Sequence, residues 1–136
     1  MKLFFDCDII LDIFFERKEH FTDSFHIFNL VGNKIHHGYT SSLVISNLHY
    51  ITRKKFSRSE TRKILIELCS IIQILSVDEK IISLALLSDF NDFEDSIQHF
   101  TAFENKMDYI ITRNVRDYKL SEVKILTPSQ FIKNHL

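Results

Sequence analysis

Residues 108–118, Asp-Tyr-Ile-Ile-Thr-Arg-Asn-Val-Arg-Asp-Tyr, join a short apolar run to a polar segment that follows it directly. The apolar run predicts a buried strand over residues 108–112, because it is short and rich in β-branched and aromatic side chains. The polar residues 112–114 would then stand at the carboxyl end of that strand. The same arrangement opens the chain, where residues 2–5 predict a strand that ends at Asp6.

Segments with helical spacing alternate with further short apolar runs along the rest of the chain. Strands are predicted over residues 2–5, 34–40, 71–77, 108–112 and 122–126, and helices over residues 8–14, 19–31, 41–51, 61–69, 78–87 and 95–106 and after Thr127. This alternation predicts an α/β fold, a three-layer α/β/α sandwich with a central, mostly parallel sheet, in a single domain over residues 1–136. In such folds ligands bind at the carboxyl ends of the strands, near the point where the strand order reverses.

Net charge, cysteine spacing and hydropathy limit how the protein can bind nucleic acid and where it is expected in the cell. The net charge of −1 over 136 residues gives no whole-molecule attraction to nucleic acid, so phosphate binding would need a local basic patch or bound cations. Cys7 and Cys69 lie far apart and are expected to be reduced core thiols. We expect a cytoplasmic protein without a membrane segment, because neither a leader pattern nor an apolar run of about 20 residues occurs.

Acidic residues cluster just after predicted strands or at predicted helix starts. They occur in residues 6–8, 92–95 and 112–117. If these segments meet, two carboxylates about 5 Å apart repel by roughly 3 kcal/mol at an effective dielectric near 20, so a cation or a proton is needed between them. Oxygen donors without sulfur favour Mg²⁺ or Mn²⁺, which can activate water and neutralise a phosphoryl group.

The same acids also suit a purely structural role. Asp8, Asp78 and Asp95 stand where helix N-caps are expected, and Asp12 is expected on a solvated helix face. Spacing alone leaves both interpretations open.

Four segments, in order, resemble the PIN-domain family. Residues 4–12, Phe-Phe-Asp-Cys-Asp-Ile-Ile-Leu-Asp, resemble the family's opening strand and first aspartate, usually Asp-Thr-Asn or Asp-Ser-Asn. Residues 95–102 resemble its acid-bearing central helix, and residues 110–118 resemble its late Thr-Arg-Asn-x-x-Asp-Phe segment, the most specific of the four. Residues 127–131 are similar to the start of its closing helix.

The resemblance implies an α/β/α ribonuclease that depends on Mg²⁺ or Mn²⁺, similar to the VapC-like toxins of bacterial toxin–antitoxin pairs. By that similarity Asp6, Asp95 and Asp117 are the catalytic, metal-binding acids, and Thr112 and Asn114 support them by hydrogen bonding. An RNA substrate, an antitoxin that covers the pocket and a homodimer are implied in the same way.

One departure concerns the second long helix, where many PIN proteins carry a glutamate and this chain has Asn47. An asparagine keeps a carbonyl ligand but loses a charge. Asp8, in place of the family's asparagine, and Asp92 and Glu94 are candidates to supply that charge. A non-catalytic PIN-like module that binds RNA or protein is therefore the main alternative, and a flap-type DNA nuclease is a third.

Basic residues offer two groups of candidates for RNA contact. Arg113 and Arg116 flank the acidic segment, and the dense basic stretch contains Arg53, Lys54 and Lys55. The dense stretch is also what a solvated turn between two helices looks like. The alternative interpretation is a rim that holds RNA phosphates beside the acidic pocket.

Overall fold

The fold is built on a sheet of five parallel strands, described here from a computed structural model that covers residues 1–135. The strands are β1 (Lys2–Phe5), β2 (His37–Ser41), β3 (Gln73–Leu75), β4 (Tyr109–Ile111) and β5 (Lys124–Leu126). Their order is β3-β2-β1-β4-β5, so the chain builds outward on one side of β1 and then crosses to the other side. The strand order therefore reverses between β1 and β4, where a ligand site is expected.

Helices cover both faces of this sheet. They are α1 (Cys7–Phe14), α2 (Phe21–Gly32), α3 (Ser42–Thr52), α4 (Arg58–Ile71), α5 (Glu79–Leu86), α6 (Phe93–Glu104) and α7 (Pro128–His135), with a 3-10 helix at Val115–Tyr118. Alternate side chains of β1 serve the two faces: Leu3 and Phe5 pack in the core under α1–α4 and α7, and Phe4 packs with Ala102 and Tyr118 on the side of α6. The predicted three-layer α/β/α fold is confirmed.

Local sequence signals explain where most helices begin. Ser57 with Glu60 three residues later predicts a capping box, and the structure has it at the start of α4. Asp78 caps α5 by accepting the backbone N–H of Ile81, as predicted. Two other predicted caps are wrong. Asp92, not Asp95, caps α6, and α1 begins directly after β1 because Asp6 accepts the N–H of Cys7.

Some predicted environments are also wrong. The helical spacing of residues 19–31 predicts Phe25 on the buried face, but Phe25 is 44% exposed because the buried face of α2 runs through Ser24, Ile27 and Val31. Cys69 is exposed on α4 instead of lying in the core.

The environment of Asp12 differs most from the predicted one. It was expected on a solvated helix face, but it is fully buried in α1. Two arginines meet its carboxylate: Arg113 Nε at 2.8 Å and Arg17 Nη1 at 3.2 Å. This pairing compensates the burial of its charge.

Candidate functional site

Asp6 and Thr112 follow the neighbouring strands β1 and β4, at the point where the strand order reverses. The parallel register pairs Phe5 with Ile111, so the next residue of each strand lies side by side. The Thr112 hydroxyl donates to Asp6 Oδ2 at 2.8 Å, and the backbone N–H of Cys7 donates to Asp6 Oδ1 at 2.8 Å. Both carboxylate oxygens are thus oriented by neighbours that the fold fixes.

Burial affects the charge of Asp6. It raises the pKa of this carboxyl above its ordinary value, although the hydrogen bonds from Thr112 and Cys7 act in the opposite direction. A carboxylate held this way is stabilised by any cation that approaches it.

The loop after β4 supports the same edge. The Asn114 backbone N–H donates to the Thr112 hydroxyl at 3.0 Å, and its side-chain amide donates to Asp8 Oδ2 at 3.0 Å. Asn114 therefore ties this loop to the first turn of α1. The side-chain amide of Asn114, which carries no charge, therefore fixes the orientation of the Asp8 carboxylate.

The first turn of α6 brings a second group of acids to the edge. Asp92 accepts the N–H of Asp95 at 2.9 Å, and Glu94 Oε2 accepts the side-chain amide of Asn47 at 3.4 Å. The pKa of the Asp95 carboxyl is raised to about 7, first by burial and then by the negative charges of Asp6 and other nearby acids. Among these other acids are Asp92, Asp117 and Glu94.

These groups share one open cavity of about 350 Å³. Its lining residues are Asp6, Cys7, Asp8, Asn47, Tyr50, Ile51, Glu94, Asp95 and Asn114. We call it the acidic cavity. Most of the residues predicted for the site thus meet at one place.

Asp117 and Asp92 line a different, adjoining cavity of about 510 Å³, together with Arg116. Asp117 lies on the 3-10 helix and is exposed, but its charge still raises the pKa of Asp95. It therefore stands near the acidic cavity without lining it.

The negative charge of the acidic cavity is not neutralised by a basic side chain. Within residues 1–135, the ion pairs join Asp12 to its two arginines and Lys80 to Glu104, away from the cavity. An uncompensated cluster of carboxylates with amide oxygens nearby is a donor set that fits a hard divalent cation.

Within residues 1–135, the carboxylate and amide oxygens of the acidic cavity do not surround a single point. In the part of the chain that the structure describes, no three acidic, histidine or cysteine side chains converge closely enough to hold an ion. Binding would therefore require side-chain rotation or ligands supplied by water, and Mg²⁺ usually retains several waters.

The basic candidates lie in three positions. Arg113 is paired with Asp12 and keeps 28% of its side chain exposed, whereas Arg116 is exposed beside Asp117. Arg53, Lys54 and Lys55 are exposed at the end of α3 and in the turn after it. We call these three residues the basic turn.

Two tyrosines near the site were not predicted. Tyr50 lines the acidic cavity. Tyr118 is buried, and its hydroxyl lies close enough to Asp6 for each group to shift the pKa of the other. Burial, and then the negative charges of Asp6 and Asp95, raise the pKa of Tyr118 well above its ordinary value. Its position directly after Asp117 in the late motif was the only sequence signal available for it.

The sequence profile of the PIN domain matches residues 2–116. The chain belongs to the PIN-domain family. PIN domains are generally nucleases, and they generally depend on divalent metal ions. No curated protein sequence matches this PIN domain significantly.

Solved structures share the fold at low sequence identity. A chain of VapBC2 from Rickettsia felis, bound to a DNA fragment from its promoter, superposes with a TM-score of 0.71 at 16% identity, over 93% of this chain and 98% of that one. DNA-bound VapBC from Salmonella typhimurium gives 0.71 at 15% identity, over 94% and 98%. A toxin–antitoxin complex from Klebsiella pneumoniae gives 0.70 at 20% identity, over 93% and 97%. These structural similarities establish the PIN fold.

No helix within residues 1–135 has the length and apolar character to cross a membrane.

Proposed function

We propose that this PIN domain is a metal-dependent endoribonuclease that hydrolyses RNA phosphodiesters as the toxin of a type II toxin–antitoxin pair. The observation that carries the proposal is the acidic cavity at the carboxyl ends of β1 and β4, where Asp6 and Asp95 share a space that no basic side chain within residues 1–135 neutralises. A bound Mg²⁺ or Mn²⁺ would supply activation of water and neutralisation of phosphoryl charge.

The metal would be held by Asp6 and Asp95, with Asp117 as a third acid from the adjoining cavity. Thr112 keeps one oxygen of Asp6 oriented through its 2.8 Å hydrogen bond. Asn114 orients Asp8, which adds negative charge to the wall of the acidic cavity. The remaining supporting residues are Asn47, Asp92 and Glu94.

RNA phosphates would be met by basic side chains outside the cavity. Arg116 is exposed beside Asp117, and the side chain of Arg113 is partly exposed while Asp12 holds it in place. The basic turn lies at the end of α3, the helix that carries Asn47 into the cavity wall. Because the basic side chains lie apart from the metal ligands, they can bind the RNA backbone without neutralising the negative charge that would hold the metal ion.

An antitoxin partner is supported by the fold comparison. The structures from R. felis and S. typhimurium are VapBC complexes on DNA, and that from K. pneumoniae is a toxin–antitoxin complex. We infer that this chain also pairs with an antitoxin that covers the acidic cavity, and that it forms a homodimer in the cytoplasm.

The test is cleavage of matched RNA and DNA hairpins by purified protein with Mn²⁺ and with EDTA. The expected result is RNA cleavage that requires Mn²⁺ and falls by at least about 100-fold in Asp6→Asn. Glu104→Gln is the matched control, because it makes the same acid-to-amide change at an exposed ion pair with Lys80. Cleavage of DNA alone, or full activity in Asp6→Asn, would overturn the assignment.

A non-catalytic PIN-like module that binds RNA or protein is the second candidate, and Asn47 is the observation that favours it. Its amide donates to Glu94 where a family glutamate would add charge. RNA binding without cleavage, together with calorimetry that detects no Mn²⁺ binding, would establish this alternative.

A further inference from the structure

Tyr50 is an aromatic side chain that folding does not explain. It lies on α3 with 68% of its surface exposed. A single exposed aromatic residue is ordinary on a protein surface. The position of Tyr50 is not, because it forms part of the wall of the acidic cavity together with Asp6 and Asp95.

One face of the Tyr50 ring already holds a cation. The ammonium of Lys54, one turn further along the chain, lies 4.8 Å from the ring centroid. Such a contact restrains the ring and places a positive charge over one of its faces, so that the other face stays open. The arrangement combines an aromatic surface with a cation that can meet a phosphate.

The rest of the basic turn extends this surface away from the cavity. Lys55 lies 4.5 Å from the Phe15 ring, and Arg53 Nη1 donates to the carbonyl of Phe56 at 3.0 Å. Within residues 1–135 none of the three basic residues is in an ion pair with an acid. Their charges therefore remain available to an anionic ligand.

An acidic cavity repels a polyanion, so affinity for a nucleic acid strand must come from contacts beside it. Sequence-tolerant binding of single strands generally combines a basic surface with aromatic rings on which bases stack. Tyr50 supplies the aromatic ring in the wall of the cavity that contains Asp6, Lys54 supplies a cation against that ring, and Lys55 adds a further positive charge in the same turn.

We propose that Tyr50 is a nucleobase platform for single-stranded RNA. A base stacks on the open face of its ring while Lys54 and Lys55 contact the flanking phosphates, and this directs the adjoining phosphodiester into the acidic cavity. The proposal rests on the RNA substrate proposed above and adds a binding subsite with its ligand class.

The test compares Tyr50→Ala with Tyr50→Phe, which keeps the stacking ring and removes only the hydroxyl. Binding of a fluorescein-labelled single-stranded RNA is followed by anisotropy in EDTA, where metal-dependent cleavage is prevented. Because stacking contributes about 1–3 kcal/mol per base, Tyr50→Ala should raise Kd by about 5- to 150-fold. Tyr50→Phe should remain within about twofold, and Lys54→Gln should lower the salt slope of log Kd by about one.

An abasic scan separates stacking from a general structural effect. Removing one base at a time from the RNA should weaken binding to the unsubstituted protein at one position in particular. The same removal should have no further effect in Tyr50→Ala, because the ring that it would stack on is gone. Equal sensitivity in both proteins would overturn the platform.

The remaining outcomes distinguish this proposal from the nuclease. RNA binding that depends on Tyr50 but gives no Mn²⁺-dependent cleavage would refute the nuclease and keep the platform. Cleavage with an unchanged Kd in Tyr50→Ala would refute the platform alone, and a lack of any RNA binding would refute the platform too. Unchanged RNA affinity with an altered oligomeric state in light scattering would assign Tyr50 to a protein contact instead.

Discussion

Asp12 is the buried anion that holds two arginines, so replacing it with asparagine should destabilise the protein. Asp12→Asn keeps the shape of the side chain but removes the charge that meets Arg113 at 2.8 Å and Arg17 at 3.2 Å. Breaking a fully buried pair by removing one partner typically costs about 3–5 kcal/mol.

The cost here should be smaller for two reasons. The side chains of Arg17 and Arg113 are 38% and 28% exposed, so water can partly solvate both cations after the change. Asparagine also retains one oxygen that can accept a hydrogen bond. We therefore expect a loss of about 2–3 kcal/mol in the free energy of unfolding, and a drop of about 10 °C in Tm for a chain of this size.

Urea unfolding followed by circular dichroism measures this change. Glu104→Gln is again the control, because its pair with Lys80 is exposed and should contribute less than about 1 kcal/mol. An Asp12→Asn protein within about 0.5 kcal/mol of the unsubstituted protein would refute the conclusion that Asp12 and its arginines form a stabilising buried cluster.

Three further predictions concern metal binding and packing. Because the pKa of Asp95 is raised to about 7, Mn²⁺ must displace a proton below that pH, so its affinity in calorimetry should fall by about tenfold per pH unit there and level off above it. Asn47→Glu adds a carboxylate to the acidic cavity and should raise Mn²⁺ affinity at pH 8 on the order of tenfold. Gly38→Ala would put a methyl group 2.7 Å from Ile72 Cγ2 and should lower the free energy of unfolding by about 1–3 kcal/mol in urea.

Each of these has an outcome that would contradict it, and the two substitutions also have matched control variants. Mn²⁺ affinity that is flat from pH 5.5 to 8 would contradict the raised pKa of Asp95. Asn47→Gln keeps the amide and should leave Mn²⁺ affinity unchanged, so an equal gain in Asn47→Gln and Asn47→Glu would exclude a charge effect. Gly32→Ala introduces a methyl group with nothing within 4 Å, and a loss as large as that of Gly38→Ala would rule out crowding as the cause.

The strands and the edge of the sheet that carries the site were predictable from sequence. Short apolar runs predicted one strand that ends at Asp6 and another that ends at Thr112, and the alternation of elements predicted a mostly parallel sheet. The structure places these two strands side by side and joins Asp6 to Thr112 by a hydrogen bond. The capping box at Ser57 and Glu60 was also predictable, because it depends only on residues three apart. Such local sequence patterns predict structure reliably because they depend on neighbouring residues and need no partner far along the chain.

The environments that depend on distant partners were not predictable. Asp12 resembled a solvated helix residue because its partner Arg113 follows a strand far along the chain. Tyr50 joins the cavity wall only because α3 packs against α1. Asp117 was grouped with Asp6 and Asp95 by motif alone. The structure puts it in an adjoining cavity, so its role as a metal ligand stays a prediction.

Mn²⁺ calorimetry on the unsubstituted protein and on Asp6→Asn at pH 8 tests the central claim most directly. At this pH the Asp95 carboxyl is mostly deprotonated, since burial and nearby acids raise its pKa to about 7. We predict one or two bound Mn²⁺ ions in the unsubstituted protein and at least a tenfold weaker affinity in Asp6→Asn. Equal binding by both proteins, or none by either, would contradict a cation site at the carboxyl ends of β1 and β4.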